Sequence, residues 1–265
     1  MKGNSKFGAI LAVGGILTGF LVLFLLAQTY MPIVEGKIII TGRPDEALTV
    51  RIVHALLGWV GMTAGALWVV VLYGFLNNKD WAWGWGVVAS TLQILAGFFP
   101  MIPAKSINYP TPTIWVFLIA FVLWFGMLFI GGVGKKIITL AFFSGIVYIL
   151  TFIDGVGSIS RYQTSQNSFA IGMYAMGQMI NWWAAIVWVV FIYALVKRKS
   201  WAYPMGLFAT SMSIFGGFPV GITDVVMIGR FSMFLVAPVM STIMLVIFLF
   251  PGTRRLLETG ESVNE

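Results

Sequence analysis

Six ionisable residues stand out as able to bind a charged or redox-active group. They are Arg51, His54, Asp154, Arg161, Asp224 and Arg230. Imidazole ligates haem iron and hydrogen-bonds quinones, and guanidinium groups bind carboxylates and other anions. The same six residues also fit ordinary hydrogen bonds and ion pairs at a membrane interface, with either acid pairing with either of the two later arginines. Both interpretations are open on the residues alone.

A second set of polar residues lies inside apolar runs. Gln178 and Asn181 are three positions apart and therefore share one face of a helix. A buried amide needs a partner, and Gln93, Thr91, Ser211 or Ser213 offers one. The two readings are a hydrogen bond between helices, worth about 1 kcal/mol, and a polar lining for a ligand or solute path.

Several kinds of chemistry are excluded. The chain has no cysteine and one histidine, so disulfides, thiolate sites and a centre of several histidines cannot form. No paired carboxylates, metal cluster or nucleophile with a nearby base is apparent. We therefore expect no metal site and no independent catalytic activity.

The elements that carry these residues must be membrane helices. The chain is 59% hydrophobic and 9% charged, which is typical of a polytopic membrane protein. A span needs roughly 20 apolar residues, and a backbone in lipid must satisfy its own hydrogen bonds. The sequence thus predicts an all-α protein with about eight spans, at residues 7–30, 51–76, 81–103, 112–134, 136–157, 168–196, 201–225 and 231–250.

Basic residues predict the orientation. With the N-terminus inside, ten Lys and Arg residues fall on the cytoplasmic side and six on the outer side. We expect both termini in the cytoplasm, a plasma-membrane location and contact with membrane lipids. The basic residues lie in short connections rather than on one face, so nucleic acid is not an expected partner.

An internal repeat predicts how the spans are organised. Residues 68–98 recur at 188–218, an offset of 120 residues with no gap. The predicted organisation is a tandem four-plus-four repeat, with units at 1–134 and 135–250, a long outer loop from 31 to 47 and a polar, mobile cytoplasmic tail at 251–265. At this offset the aligned pairs that differ in polarity are His54 and Tyr174, Gly58 and Gln178, Gly61 and Asn181, and Gln93 and Ser213.

The layout resembles that of the haem A synthase family. The similarity covers the four-plus-four arrangement, the histidine that opens the second span, and the segments Val-His-Ala-Leu-Leu-Gly at 53–58 and Leu-Gln-Ile-Leu-Ala-Gly at 92–97. The resemblance implies haem-ligating histidines in the even-numbered spans of both halves. Here the second span has His54, and the sixth span has Tyr174 at the equivalent position. Bis-histidine ligation within this chain is therefore excluded.

Two functions follow as expectations. The first is an integral membrane subunit or assembly factor of a respiratory redox complex that contacts other subunits and holds a quinone or a single haem near the outer face. Its cofactor-binding residues would be His54, Arg51, Tyr174, Arg161 and Arg230. The alternative is a small-solute transporter built on parallel repeats, which would use the intramembrane polar residues Gln93, Gln178, Asn181, Asp154 and Asp224. A membrane enzyme acting on lipids fits least well.

Overall fold

The computed structural model describes Met1 and residues 3–259. All regular secondary structure in this part of the chain is helical, which confirms the all-α prediction. The chain divides between Gly134 and Lys135 into two compact units. The elements of unit 1 are α1 (Ser5–Ile39), α2 (Pro44–Leu76), α3 (Trp81–Phe98), α4 (Met101–Ser106) and α5 (Ile114–Ile130). Those of unit 2 are α6 (Lys135–Thr164), α7 (Ser168–Val196), α8 (Ala202–Ile228), a 3-10 turn (Met233–Leu235), α9 (Val236–Leu249) and α10 (Pro251–Thr259).

Six helices are long and apolar enough to cross a membrane. They are α1, α2, the segment Trp81–Ser106 that combines α3 and α4, α6, α7 and α8. The short helix α5 has 17 residues, and the segment Met233–Leu249 meets α10 at a bend of 81°. A polytopic membrane protein is therefore confirmed in outline by the described residues.

The predicted long outer loop at 31–47 is wrong. Helix α1 continues to Ile39 and α2 begins at Pro44, so only four residues connect them. Pro44 suits the first turn of a helix, where its missing N–H is not needed. Lys37 donates to Glu46 at 2.8 Å and Arg43 donates to the same carboxylate at 2.7 Å, which closes the hairpin. Glu46 also raises the pKa of Arg43 by this hydrogen bond and by charge attraction.

Glycines set the close approach of α1 and α2. A Cβ atom on Gly19 would lie 2.7 Å from the Cα atom of Gly65, so the two backbones touch. One turn away, a Cβ atom on Gly61 would overlap the side chain of Val22. Small residues at helix contacts let spans pack by van der Waals attraction where lipid offers no hydrophobic driving force. Close packing of the two helices thus accounts for Gly19, Gly61 and Gly65.

The predicted mobile tail is partly wrong. Residues 251–259 form α10, and the side chains of Leu256 and Leu257 are buried. Phe250 has an extended backbone, because a residue before proline avoids the helical region, and Pro251 then starts the new helix. Residues 260–265 of the predicted tail lie outside the described residues.

A matched pair of glycine substitutions tests the helix contact. We expect Gly19→Ala to lower the free energy of unfolding by about 1–3 kcal/mol, because the new methyl group meets backbone. Gly58→Ala is the control, since its Cβ atom would make only ordinary contact, 3.9 Å from Leu26. Unfolding of the purified protein in mild detergent measures both. Equal stability of the two variants would contradict the close backbone contact.

Candidate functional site

Each unit contains one buried hydrogen bond from a tryptophan of its second helix to a polar side chain of its third. In unit 1 the indole N–H of Trp68 donates to Gln93 Oε1 at 2.9 Å, and Gln93 Nε2 donates to the carbonyl of Gly15 at 2.8 Å. Gln93 therefore joins α1, α2 and α3, and it is fully buried. Both polar atoms of the Gln93 amide are hydrogen-bonded within the protein, so the residue needs no ligand.

Unit 2 has the equivalent hydrogen bond, between the two residues that lie 120 positions after Trp68 and Gln93. Trp188 donates to Ser213 Oγ at 2.8 Å, and Ser213 Oγ lies 3.2 Å from Thr151 Oγ1. This contact joins α6, α7 and α8. Ser213 thus contacts the first helix of its unit through the hydroxyl of Thr151, where Gln93 contacts a backbone carbonyl.

An ion pair closes the end of unit 2 at which α6 ends and α7 begins. Asp224 Oδ1 accepts from Arg161 Nε at 2.8 Å and from the hydroxyl of Tyr174 at 3.1 Å. Asp224 Oδ2 accepts from Ser232 Oγ at 2.7 Å. The carboxylate is buried and has donors from α6, α7 and the segment after α8. Because both oxygens are satisfied within the protein, this cluster is best explained as a structural joint.

Four buried polar atoms, on three other side chains of unit 2, lack a hydrogen-bond partner among the described residues. They are Asp154 Oδ2, both amide atoms of Asn181 and the indole nitrogen of Trp182. The residues Asp154 and Asn181 are 3% and 1% exposed. The expected hydrogen bond from Asn181 to Ser211 or Ser213 is not formed. By contrast, the indoles of Trp68, Trp124 and Trp188 all have acceptors.

Helix register puts these three side chains at a similar depth. Helices α6 and α8 run in the same direction, and Thr151 contacts Ser213. Asp154 and Gly216 each lie three residues further on, about 4.5 Å along their helices. A Cβ atom on Gly216 would lie 2.6 Å from Asn181 Oδ1, so Asn181 is at that level.

Trp182 lies at the same depth, because its side chain packs against α6 beside Asp154. A Cβ atom on Gly155, the residue after Asp154, would lie 2.6 Å from Trp182 Nε1. The indole also stacks on Phe152, with ring centroids 6.1 Å apart. We call Asp154, Asn181 and Trp182 the polar layer. It offers a carboxylate oxygen, an amide and an N–H donor within one set of packed helices.

His54 in unit 1 is buried, and its ring meets Tyr30 edge-on with centroids 6.2 Å apart. The carbonyl of Val50 lies close enough to interact with it, but neither ring nitrogen makes a hydrogen bond of standard geometry to a described residue. Tyr174, which aligns with His54 at the offset of 120 residues, donates to Asp224, but His54 has no equivalent acid. The position that corresponds to Asp224 is Ala104, which packs in an apolar cluster with Val50.

The remaining predicted site residues do not join one cluster. Arg51 and Arg230 are exposed, and neither is part of an ion pair in the described part of the chain. Arg51 contributes only its carbonyl, which accepts from the hydroxyl of Tyr30 at 3.3 Å. Gln178 is half-buried, one turn from Asn181. Among the described residues no group of three or more His, Asp or Glu side chains could hold a metal ion.

Sequence reasoning missed Ser232 and the two tryptophan pairs. Ser232 lies two residues after Arg230 in a short connection, and its type gives no signal of its contact with Asp224. Trp182 was predicted from its place beside Asn181 either to pack or to line a cavity. The pairing of Trp68 with Gln93 and of Trp188 with Ser213 could have been proposed from the repeat, since both members of each pair align.

Comparison with known proteins gives no match: no protein-family model, curated protein or solved structure matches this chain.

Substitution of Arg161 and Arg230 in unit 2 tests the structural role of the ion pair. We expect Arg161→Met to lower the free energy of unfolding by about 1.5–3 kcal/mol, because Asp224 loses a charged donor while it stays buried. Arg230→Met removes an equal charge from an exposed position and should change stability little. Thermal unfolding in detergent measures both variants. A loss of stability in both, or in neither, would contradict this role.

Proposed function

We propose that this chain is a multi-pass plasma-membrane protein that binds and transports a small cationic solute through unit 2. The observation that carries the proposal is the polar layer. A buried polar group without a hydrogen bond costs roughly 1–3 kcal/mol, and more if it is charged. Three such groups at one depth are costly for a merely structural core, and a bound ligand that pairs with them would remove the cost.

The charges of the layer favour a cation. Asp154 is its only ionisable residue, and no lysine or arginine in the described chain forms an ion pair with it. The neighbouring amide and indole are neutral. The carboxyl group must be neutral at this depth, either by holding its own proton or by binding a cation, and the proposal is that a bound cation neutralises it. Gly155 packs closely on Trp182 and Gly216 on Asn181, so the proposed ligand is a small species such as an alkali ion, ammonium or a hydrated proton.

We also propose eight spans with both termini in the cytoplasm. Helix α5, at about 26 Å, and the segment Met233–Leu249 are each near the lower limit for crossing a bilayer of about 30 Å. Together with the six longer segments they would make an even number of crossings. Parallel repeats that each cross the membrane an even number of times are a known feature of transporters.

Transport can be tested in proteoliposomes with four probes: sodium, potassium, ammonium and protons. We expect saturable uptake of at least one of them, reduced at least tenfold by Asp154→Asn because the variant cannot neutralise the cation. Asp45→Asn is the matched control, since Asp45 is exposed in unit 1. The proposal fails if no probe enters faster than into empty liposomes, or if Asp154→Asn transports as well as the control.

One observation favours the redox function as a second candidate. His54 is a buried imidazole whose two nitrogens lack hydrogen bonds of standard geometry within the described chain, and such a group can ligate haem or bond a quinone. The resemblance in layout to the haem A synthase family points the same way. The candidate is a non-catalytic subunit or assembly factor of a respiratory complex, with His54 as the single ligand. Tyr174 and Arg161 would not take part, because each is bonded to Asp224.

Spectra of the purified protein test this second candidate. It predicts a haem Soret band, or one quinone extracted per chain, that is lost in His54→Leu and kept in Tyr73→Phe, whose ring is exposed. A colourless protein free of quinone would contradict it. The transport proposal does not depend on this result.

A further inference from the structure

The last described helix, α10, differs from the spans in direction and in composition. It meets the preceding helical segment at an angle of 81°, so it lies across the end of unit 2 rather than along it. Leu256 and Leu257 are buried, whereas Arg254 and Arg255 are exposed. Because the apolar side chains are buried against the protein, the exposed arginines face the surroundings at the end of the membrane span.

The other helix ends on this side of unit 2 are also basic. Because successive helices are antiparallel, the start of α6, the connection from α7 to α8 and the end of α9 lie at one end of the unit. Six exposed cations are found there: Lys135, Lys136, Arg198, Lys199, Arg254 and Arg255. Glu258 is the only acid of the described chain at this end, and it pairs with Arg254 at 2.9 Å.

The two arginines of α10 differ in how they are held. The Arg254 guanidinium lies 5.4 Å from the centroid of the Tyr203 ring and is also held by Glu258. Arg255 makes no ion pair with a described residue. A guanidinium fixed at one position beside an unpaired one suits a phosphate, which accepts several charge-assisted hydrogen bonds.

We propose that α10 and the basic helix ends beside it form a binding surface for anionic phospholipid headgroups. Its apolar side packs on the protein, and its arginines reach the phosphates of the adjoining leaflet. Each basic residue near such a surface contributes about 1 kcal/mol of attraction. The surface also fixes which side of unit 2 faces the anionic leaflet. This inference is independent of the ligand in the polar layer.

Lipid binding to the detergent-purified full chain tests the proposal. Short-chain phosphatidylglycerol is titrated and the shift in melting temperature recorded, with short-chain phosphatidylcholine and inorganic phosphate as separate probes. We expect phosphatidylglycerol to stabilise the wild type, the other two to do so much less, and 0.5 M salt to reduce the effect through screening. The double variant Arg254→Gln with Arg255→Gln should bind phosphatidylglycerol at least tenfold more weakly.

A charge-matched control removes the effect of net charge. Lys105→Gln with Arg230→Gln also removes two exposed cations, one from unit 1 and one from the opposite end of unit 2. It should bind phosphatidylglycerol as the wild type does. Equal losses in the two double variants, or equal stabilisation by phosphatidylglycerol and phosphatidylcholine, would overturn the proposal. Stabilisation by inorganic phosphate as strong as that by phosphatidylglycerol would point instead to a soluble anion and would also overturn it.

Discussion

The structure depends on the requirement that a polar group in a membrane helix find its partner within the protein. In each unit this requirement is met by the same device, an indole of the second helix that donates to a side chain of the third. Gln93 and Ser213 then each contact the first helix, so one buried residue links three helices.

Unit 2 has polar side chains at two positions where unit 1 has small apolar residues. Asn181 stands where unit 1 has Gly61, and Asp224 stands where it has Ala104. The added Asp224 is fully satisfied by Arg161, Tyr174 and Ser232. The added Asn181, with Asp154 and Trp182, is not. In this repeated scaffold unit 2 holds three unsatisfied polar side chains at one depth, whereas His54 is the unsatisfied buried side chain of unit 1 among the described residues. This difference is the physical basis of the transport proposal.

Much of the helical architecture could be predicted, because apolar length and the repeat are properties of the sequence itself. The helical structure of residues 31–39 could not be predicted, because Pro32 and Gly36 are typical of a loop. Ile33 and Val34 pack against α2 and α4, and this packing keeps α1 helical to Ile39. The choice of Arg161 over Arg230 as the partner of Asp224 depends on which residue the helix ends bring close. The sequence could not show that the Asn181 amide has no hydrogen-bond partner in its own unit, because four candidates were available. The rotation of the helices leaves the two candidates of unit 2, Ser211 and Ser213, unbonded to it.

The central claim is that the polar layer binds a ligand, and its most direct test is a high-resolution cryo-EM map of the protein in lipid nanodiscs. The account predicts non-protein density within hydrogen-bond distance of Asp154 Oδ2 and the Asn181 amide. A map in which both side chains turn to bond other protein groups, with no such density beside them, would contradict it.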